Sequence, residues 1–414
     1  MLTNLYRSGR LSQYLLWLAC SAGVVGLLAT RALVALSPVP GVLAVLANPQ
    51  LPLAWRNYFR NGAALRTALL YGLVLVSGLY TSSIGIWQHE LFRLLPWLVV
   101  PLAFAVAVPL SGSQRYAVGS LFVVGAAGIG LATLVAYYRR GESWVSDFVV
   151  NQSVPSITKV FHIHFGLMLA LAAVWGYLLS RQAGPPRWVR GGLLAAAAAA
   201  ALTLHLLAYR TGLVALYGAL LVEMLYQVLV RRHLRVGLAL LVALALALGV
   251  ASQLKPIRER LSATLWDVEQ YEHDRDLNTL SVGRRLVAWQ TARVIISQHP
   301  WLGVAPADVE SAMLAQYDWH DYGLRQQNWA MTHNQYIQYL VGGGLLGLCL
   351  WLAVLLWPLT QPAQRQNPYL RQFVLMLGIA MLGDSLLELQ IGYNLFVFGY
   401  GFLVVAGERR LRLA

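Results

Sequence analysis

The stretch from Arg190 to Ala251 decides the fold: RGGLLAAAAAAALTLHLLAYRTGLVALYGALLVEMLYQVLVRRHLRVGLALLVALALALGVA. It contains three apolar runs, over 190–207, 212–230 and 233–251, and two short polar turns between them. A helix needs about 20 mostly apolar residues to cross a bilayer. The stretch therefore predicts three consecutive membrane-spanning helices joined by turns too short to hold a soluble domain.

The whole chain repeats this pattern. Of its 414 residues, 58% are hydrophobic and only 12% are charged, against roughly 45–50% and about 25% in soluble proteins. Mean hydropathy is +0.58. This composition excludes a soluble enzyme, a disordered chain and a secreted disulfide scaffold. It predicts an all-α polytopic membrane protein with about 12 transmembrane helices, at 12–29, 31–47, 63–80, 93–110, 116–137, 161–180, 190–207, 212–230, 233–251, 335–357, 371–388 and 391–407.

Two features leave the number of spans open. The run over 31–47 is short and contains Pro38 and Pro40, so it could be the return half of a hairpin. The last two runs are nearly continuous. Arg7 and Arg10 before the first run resemble the start of a signal peptide, but no clear cleavage site follows. We therefore expect an uncleaved first helix.

The arginines predict the orientation. The net charge is +14, and cytoplasmic loops of membrane proteins collect basic residues. With both termini cytoplasmic, the cytoplasmic segments hold 17 of the 31 basic residues. Most of the others fall in one long outer loop, which this rule discounts. The high charge thus indicates membrane anchoring and not nucleic-acid binding.

The chain therefore divides into three parts within one membrane domain. Residues 1–252 form nine spans, residues 253–332 form a long outer loop, and residues 333–414 form three more spans. Within the loop, apolar spacing predicts amphipathic helices over 284–298 and 306–317.

Four arginines of the outer face are candidates for binding an anion. Arg210 lies in a short turn at a helix start, where the helix dipole favours negative charge. Arg285 and Arg293 share one face of the loop helix with Trp289, and Arg284 is adjacent. The guanidinium fork suits phosphate or diphosphate. The alternatives are snorkelling of Arg210 to the interface and a loop helix that rests on lipid headgroups.

His333 is the candidate for proton chemistry. It lies where the long loop enters the next span, and Thr332 before it could cap that helix. A helix start favours neutral imidazole, the form that acts as a general base. A structural histidine at the interface is the alternative.

Weaker candidates complete the set. Lys159 could contact an anionic headgroup, while His162 and His164 point to opposite sides of one helix and cannot share a metal ion. Asp384 and Glu388 share a face in an apolar run, which raises a proton-relay or transport hypothesis. The stretch Asp274-Arg275-Asp276 matches a metal-binding DxD pattern, although three residues match by chance often.

Four motifs in this order resemble the O-antigen ligase family. They are the Tyr-Arg-Thr-Gly turn at Tyr209–Gly212, the stretch Ser281–Trp289, the His-Pro-Trp-Leu-Gly-Val stretch His299–Val304, and Thr-His-Asn-x-Tyr at Thr332–Tyr336. The resemblance in architecture covers nearly the whole chain. The motifs are short, but their order and spacing together are specific.

The resemblance implies a glycosyltransferase with a fold like that of the glycosyltransferase C type. It would transfer a glycan from undecaprenyl diphosphate to the lipid A–core oligosaccharide at the periplasmic face of the bacterial inner membrane, with inversion and without metal or cofactor. Its essential arginines correspond to Arg210 and Arg285, with Arg284 one residue away, and its essential histidine to His333. We expect the substrate to contact Arg284, Arg293, Asn334, Lys159 and His164 as well. Its partners would be the two lipid substrates and the surrounding lipids.

Other functions remain open. An O-antigen polymerase uses the same donor on both sides of the reaction. A lipid-linked glycan or ion-coupled transporter is supported by Asp384 and Glu388, and a scaffold role would leave the arginines and His333 dispensable.

Overall fold

The computed structural model describes residues 2–139, 155–272 and 276–413. Within these ranges all regular secondary structure is helical, which confirms the predicted all-α class. The described part of the chain has ten helices that are long and apolar enough to cross a membrane. They are Arg10–Ala29, Gly62–Leu79, Ile84–Val106, Gly112–Arg139, His162–Ser180, Arg187–Leu206, Arg210–Val230, Leu234–Gln253, Gln335–Thr360 and Gln390–Arg412.

The α-helices are numbered in chain order. The first half has α1 Leu2–Arg7, α2 Arg10–Ala29, α3 Arg31–Leu36, α4 Pro38–Leu46, α5 Leu51–Arg60, α6 Gly62–Val76, α7 Ile84–Leu94, α8 Pro96–Val106, α9 Gly112–Arg139, α10 His162–Ser180 and α11 Arg187–Leu206. The second half has α12 Arg210–Leu225, α13 Leu234–Gln253, α14 Lys255–Glu272, α15 Ser281–Gln298, α16 Val309–Trp319, α17 Gln335–Thr360, α18 Pro362–Arg365, α19 Pro368–Ala380, α20 Gln390–Gly399 and α21 Ala406–Leu413. Single turns of 3₁₀ helix and two π-helical stretches, Tyr226–Val230 and Tyr400–Val405, join some of them.

Two of the twelve predicted spans differ from the prediction. The first, 31–47, is a pair of short helices, α3 and α4, that meet at Ser37 ahead of the first proline. The pair nevertheless runs back along the whole of α2. The Ser12 hydroxyl near the start of α2 donates to the Ala44 carbonyl near the end of α4, over 2.6 Å. The pair therefore crosses the helix bundle, although it is shorter than a standard span.

The second is 371–388, where the helix α19 ends at Ala380 and the chain turns before α20. At its start Arg371 pairs with Glu223, whose carboxylate is 2.6 Å away. At its end the Met381 carbonyl accepts from the Gln335 backbone N–H at the start of α17. This helix also crosses the bundle, and the predicted residues 381–388 belong to an irregular turn.

We call the end of the bundle that carries residues 255–332 the loop side, and the other end the far side. On the loop side, the connection between α6 and α7 contacts the long loop, since Thr81 and Ser82 both donate to the Asp308 carboxylate. On the far side, Glu408 of α21 accepts from the backbone N–H groups of Gly62 and Ala63. Chain segments far apart in sequence thus close both ends of the bundle.

The long loop is mainly helical. Residues 284–298 are helical as predicted, within α15, and residues 306–317 form a 3₁₀ turn followed by α16. The polar helix α14 was not predicted. A small core joins α15 and α16 to the start of α17, and it includes the buried side chains of Ala288, Ala292, Met313 and Val341. The loop is therefore an ordered layer that packs on the helix bundle.

A break in α17 fixes this layer. Gly344 has φ 59 and ψ −158, which interrupts the helix. The turn after α15 fills the break, because the Pro300 and Trp301 carbonyls accept from the backbone N–H groups of Leu345 and Leu346. Gly303 has φ +66, and a Cβ there would overlap the Val341 carbonyl. Only glycine allows so close a contact between two backbones.

Candidate active site

His333 lies at the mouth of the bundle, one residue before the helix cap of α17. Its backbone is left-handed, with φ 40. Its Nδ1 atom is 3.2 Å from Oδ1 of Asp384. The histidine side chain is 42% exposed and the aspartate side chain only 12%. The imidazole is thus held from behind by a carboxylate and opens toward solvent in front.

The start of α17 positions this histidine. The Asn334 side chain accepts from the backbone N–H groups of Tyr336 and Ile337, so Asn334 is the N-cap. The proposal that Thr332 caps the helix is wrong. Thr332 instead donates to the Gln338 side chain and lies 3.0 Å from the Ser385 hydroxyl.

The turn between α19 and α20 carries Asp384. The Ser385 backbone N–H donates to the Asp384 carboxylate, and the Asn334 side chain donates to the Leu382 carbonyl. Burial alone would raise the pKa of Asp384. The hydrogen bond and charge of His333, with the charges of Arg285 and His164, outweigh burial and hold this pKa below its usual value. The carboxylate is therefore ionised at neutral pH.

Arg285 contacts the same turn, and Arg284 does not. A guanidinium N–H of Arg285 donates to the Gly383 carbonyl over 2.9 Å. Arg284 instead bonds back to the Leu280 carbonyl of its own helix. One turn further along, Trp289 donates to the Thr332 carbonyl, next to the candidate base. The geometry thus places Arg285 at the site.

Arg210 approaches from another helix. It is the first residue of α12 and is half-buried. Its charge is attracted by Asp267 and repelled by Arg285. Asp267 is buried and accepts from the backbone N–H groups of Ser281 and Val282, which caps the start of α15. Sequence reasoning missed Asp267, which lies in the polar helix that it also missed.

The structure brings His164 to the site and places Arg293 in a separate groove. His164 is buried behind Asp384, where the two side chains interact electrostatically. Arg293 is exposed and lines a separate groove with Gln290 and Trp319. It is eight residues past Arg285, or about 12 Å along the helix. Lys159 is exposed in a left-handed turn before α10.

Asn334 and Glu388 are engaged within the protein. Asn334 uses its side chain to cap α17 and to hold the Asp384 turn, so its predicted contact with substrate stays a prediction. Glu388 accepts from the Gln335 side chain over 3.3 Å and pairs with Arg93 over 3.4 Å. Arg93 also donates to the Leu387 carbonyl, which ties α7 to the turn. Arg93 is a further positioning residue that the sequence did not indicate.

Within residues 2–139, 155–272 and 276–413, no three His, Cys, Asp or Glu side chains form a group suited to one metal ion. Of the DxD pattern, Asp274 and Arg275 lie outside the described residues. Asp276 accepts from the Asn278 backbone and side chain in a 3₁₀ turn.

The site therefore combines a candidate base, His333, with a pair of cations, Arg210 and Arg285. If the carboxylate of Asp384 accepts the Nδ1 proton of His333, the Nε2 atom keeps its lone pair and faces outward. Two guanidinium groups from α12 and α15 face the same region and repel each other, which favours an anionic ligand between them. This arrangement can deprotonate a hydroxyl and stabilise a phosphate.

Comparison with known protein families matches a segment of the chain that holds most of this site. Residues 190–352 match the family described as O-antigen ligase. A protein of Haemophilus influenzae, described as uncharacterized, is 25% identical over 135 residues. That alignment covers 33% of this chain and 34% of the relative, so the chain spans about a third of that relative's length. The matched family segment holds Arg210, Arg285 and His333, and the match is consistent with a member of the O-antigen ligase family.

Proposed function

We propose that this protein is a ligase that transfers a glycan from undecaprenyl diphosphate to the lipid A–core oligosaccharide. The observation that carries the proposal is the half-exposed His333, held by Asp384 and flanked by Arg285, within a chain in which a segment matches the O-antigen ligase family. The reaction would take place at the loop side of the bundle. The predicted orientation assigns this side to the periplasm.

His333 acts as the general base. A sugar hydroxyl of the acceptor attacks the anomeric carbon of the donor, and its proton passes to Nε2 of His333. The bond between the anomeric carbon and the diphosphate oxygen breaks, and its electron pair leaves with the diphosphate. A single displacement of this kind inverts the anomeric configuration. The Asp384 carboxylate orients the imidazole and stabilises the imidazolium that forms.

Arg210 and Arg285 stabilise the leaving diphosphate. Negative charge builds on the diphosphate as the bond breaks, and preorganised cations lower the barrier to this step. Arg285 donates one N–H group to the Gly383 carbonyl. Because a guanidinium has five N–H donors, four remain for the diphosphate. We propose that these two arginines do the work that a metal ion does in other diphosphate-dependent transferases.

A polymerase is the second candidate, because the family includes chains that lengthen the glycan on its lipid carrier. The ligase and polymerase reactions would use the same donor, the same base His333 and the same two arginines. They differ only in the acceptor, which is a second lipid-linked glycan in one case and the lipid A–core in the other. The assay must therefore contain both acceptors.

The test is a transfer assay in proteoliposomes with undecaprenyl diphosphate glycan, lipid A–core and excess chelator. We expect glycan on the core from the wild type, and a loss of about a hundredfold or more in His333→Ala. The matched control is His320→Ala, since His320 is exposed and lies away from the site.

Each other outcome selects a different function. Lengthening of the donor glycan without transfer to the core would make the protein a polymerase. Transfer at the wild-type rate by His333→Ala would overturn the role of the base. Movement of lipid-linked glycan across the vesicle membrane without any transfer would favour the transporter.

A further inference from the structure

A cavity on the far side, away from the candidate active site, is lined by cationic and hydrogen-bonding side chains from four helices. We call it the arginine pocket, and its polar lining consists of Arg115, Tyr116, Gln182, Asn367, Tyr369 and Arg410. It lies between the start of α9, the end of α10, the start of α19 and the helix α21. With a volume of about 230 Å³ it has room for a phosphate group.

Within residues 2–139, 155–272 and 276–413, the two arginines of the pocket have no acidic partner. Among the described residues, no ion pair joins Arg115 or Arg410 to a carboxylate, and the two charges repel each other. Arg115 donates one N–H group to the Leu110 carbonyl. The nearby Glu408 is engaged by the start of α6 and by Arg412. Two half-buried guanidinium groups at one cavity are costly unless an anion joins them.

The other polar groups of the pocket also suit an anion. The Tyr116 hydroxyl oxygen is buried and makes no hydrogen bond within the described ranges. The Gln182 side chain is fixed by its bond to the Tyr369 hydroxyl over 2.7 Å. No carboxylate of the described part of the chain lines the pocket. Its polar lining therefore offers donors and lacks a negative charge.

An apolar crevice adjoins the pocket. Its own lining includes Leu16, Phe104, Leu110, Ala406 and Arg409, whose guanidinium donates to the Phe104 and Ala107 carbonyls, and it shares Arg115, Phe402 and Arg410 with the pocket. The shared residues form the wall between a polar space and an apolar one. A free anion would use only the first space, whereas a phospholipid would use both. Basic pockets between membrane helices are sites for anionic headgroups.

We propose that the arginine pocket binds a phosphate-bearing ligand, and that this ligand is the headgroup of an anionic phospholipid whose acyl chain follows the apolar crevice. Ordinary anchoring arginines extend individually into the headgroup layer. These two instead meet across one cavity with a phenol and an amide. The proposal is independent of the function proposed for the loop side.

The test measures binding to the purified full-length protein by native mass spectrometry. The probes are phosphatidylglycerol, phosphatidylethanolamine and inorganic phosphate. We expect bound phosphatidylglycerol, with an affinity roughly tenfold weaker in Arg115→Gln and in Arg410→Gln. Tyr116→Phe removes one hydroxyl and should weaken binding by about fivefold. Arg231→Gln is the matched control, because Arg231 is exposed on the same side and lies outside the pocket.

The outcomes separate the sources of the anion. Retention of inorganic phosphate with the same dependence on Arg115 and Arg410 would support an anion site and overturn the lipid. Equal binding of phosphatidylglycerol by the wild type and by both pocket variants would overturn the site. If the arginine variants fail to fold, Tyr116→Phe and the salt dependence of wild-type binding decide, since an ionic site must weaken as salt rises.

Discussion

Arg284 and Arg285 are adjacent in sequence but make different contacts. Arg285 bonds to the turn that carries Asp384, and Arg284 bonds to its own helix. We therefore predict that Arg285→Gln lowers glycan transfer about a hundredfold, the size expected when one stabilising donor of a transition state is lost. Arg284→Gln should stay within about threefold. Measured transfer rates that fall equally in both variants would contradict a role specific to Arg285.

Asp384 should make stability depend on pH. Its pKa is lowered in the folded protein, so it stabilises the fold above the pKa of about 3.9 that an unfolded aspartate has. This contribution is lost as pH falls through the lowered pKa. We predict that acid reduces the melting temperature of the wild type more than that of Asp384→Asn, between about pH 5 and pH 3. Asp318→Asn is the control, because Asp318 is exposed. Equal acid sensitivity in wild type and Asp384→Asn would refute this.

The sequence indicated the single residues of the site but not their pairs. A charge in a short turn, an arginine on a loop helix and a histidine at a helix start are visible as local patterns. The pairing of His333 with Asp384 spans 51 positions and depends on where α19 ends. No periodicity in either segment shows that contact. The apolar run over 371–388 predicts Asp384 within a span, and the structure places it in a turn.

At the scale of elements, the break in α17 joins the loop layer to the bundle. A Cβ at Gly344 would overlap the Trp301 carbonyl, and its φ of +59 disfavours any other residue. We predict that Gly344→Ala lowers the free energy of unfolding by about 1–3 kcal/mol. The control is Gly249→Ala in α13, where a Cβ meets nothing within 4 Å. Chemical denaturation in detergent would measure both, and an equal effect would mean that the break tolerates side chains.

Averaging hydropathy over a window of residues locates apolar helices well, but it locates the ends and kinks of helices poorly. Most of the predicted spans correspond to a single long helix, because length and composition are averages over many residues. The ends of α3 and α19 and the kink at Gly344 depend on single positions and on contacts from other parts of the chain. The polar helix α14 was not predicted from the sequence, because charged residues lie on all its sides and no apolar face marks it as a helix. Its position follows from packing against α15 and not from its own pattern.

At the scale of the molecule, all groups of the candidate site meet at the loop side, although they come from segments spread over half of the chain. The arginine pocket lies at the far side. This arrangement requires that segment 368–380 crosses the bundle, since otherwise Asp384 and His333 could not meet, and segment 31–47 crosses it as well. The contacts at both ends of each segment support the crossing. The orientation relative to the cell stays a prediction from the arginine distribution.

Cysteine labelling would test both the crossings and the orientation. In a background with Cys20 and Cys349 replaced, we predict that an impermeant maleimide labels Arg31→Cys in intact spheroplasts. Gln50→Cys should react only after permeabilisation, because α3 and α4 carry the chain from the loop side to the far side. Both positions are exposed.

The second pair follows the same logic across α19. Gln366→Cys should be protected in intact spheroplasts and Leu382→Cys should react, since both residues are exposed and α19 separates them. Labelling of both members of either pair from outside would show that the segment between them does not cross. Reversed labelling of all four positions would keep twelve crossings and invert the molecule. The candidate site would then face the cytoplasm, where a ligase acting on lipid A–core at the outer leaflet could not reach its acceptor.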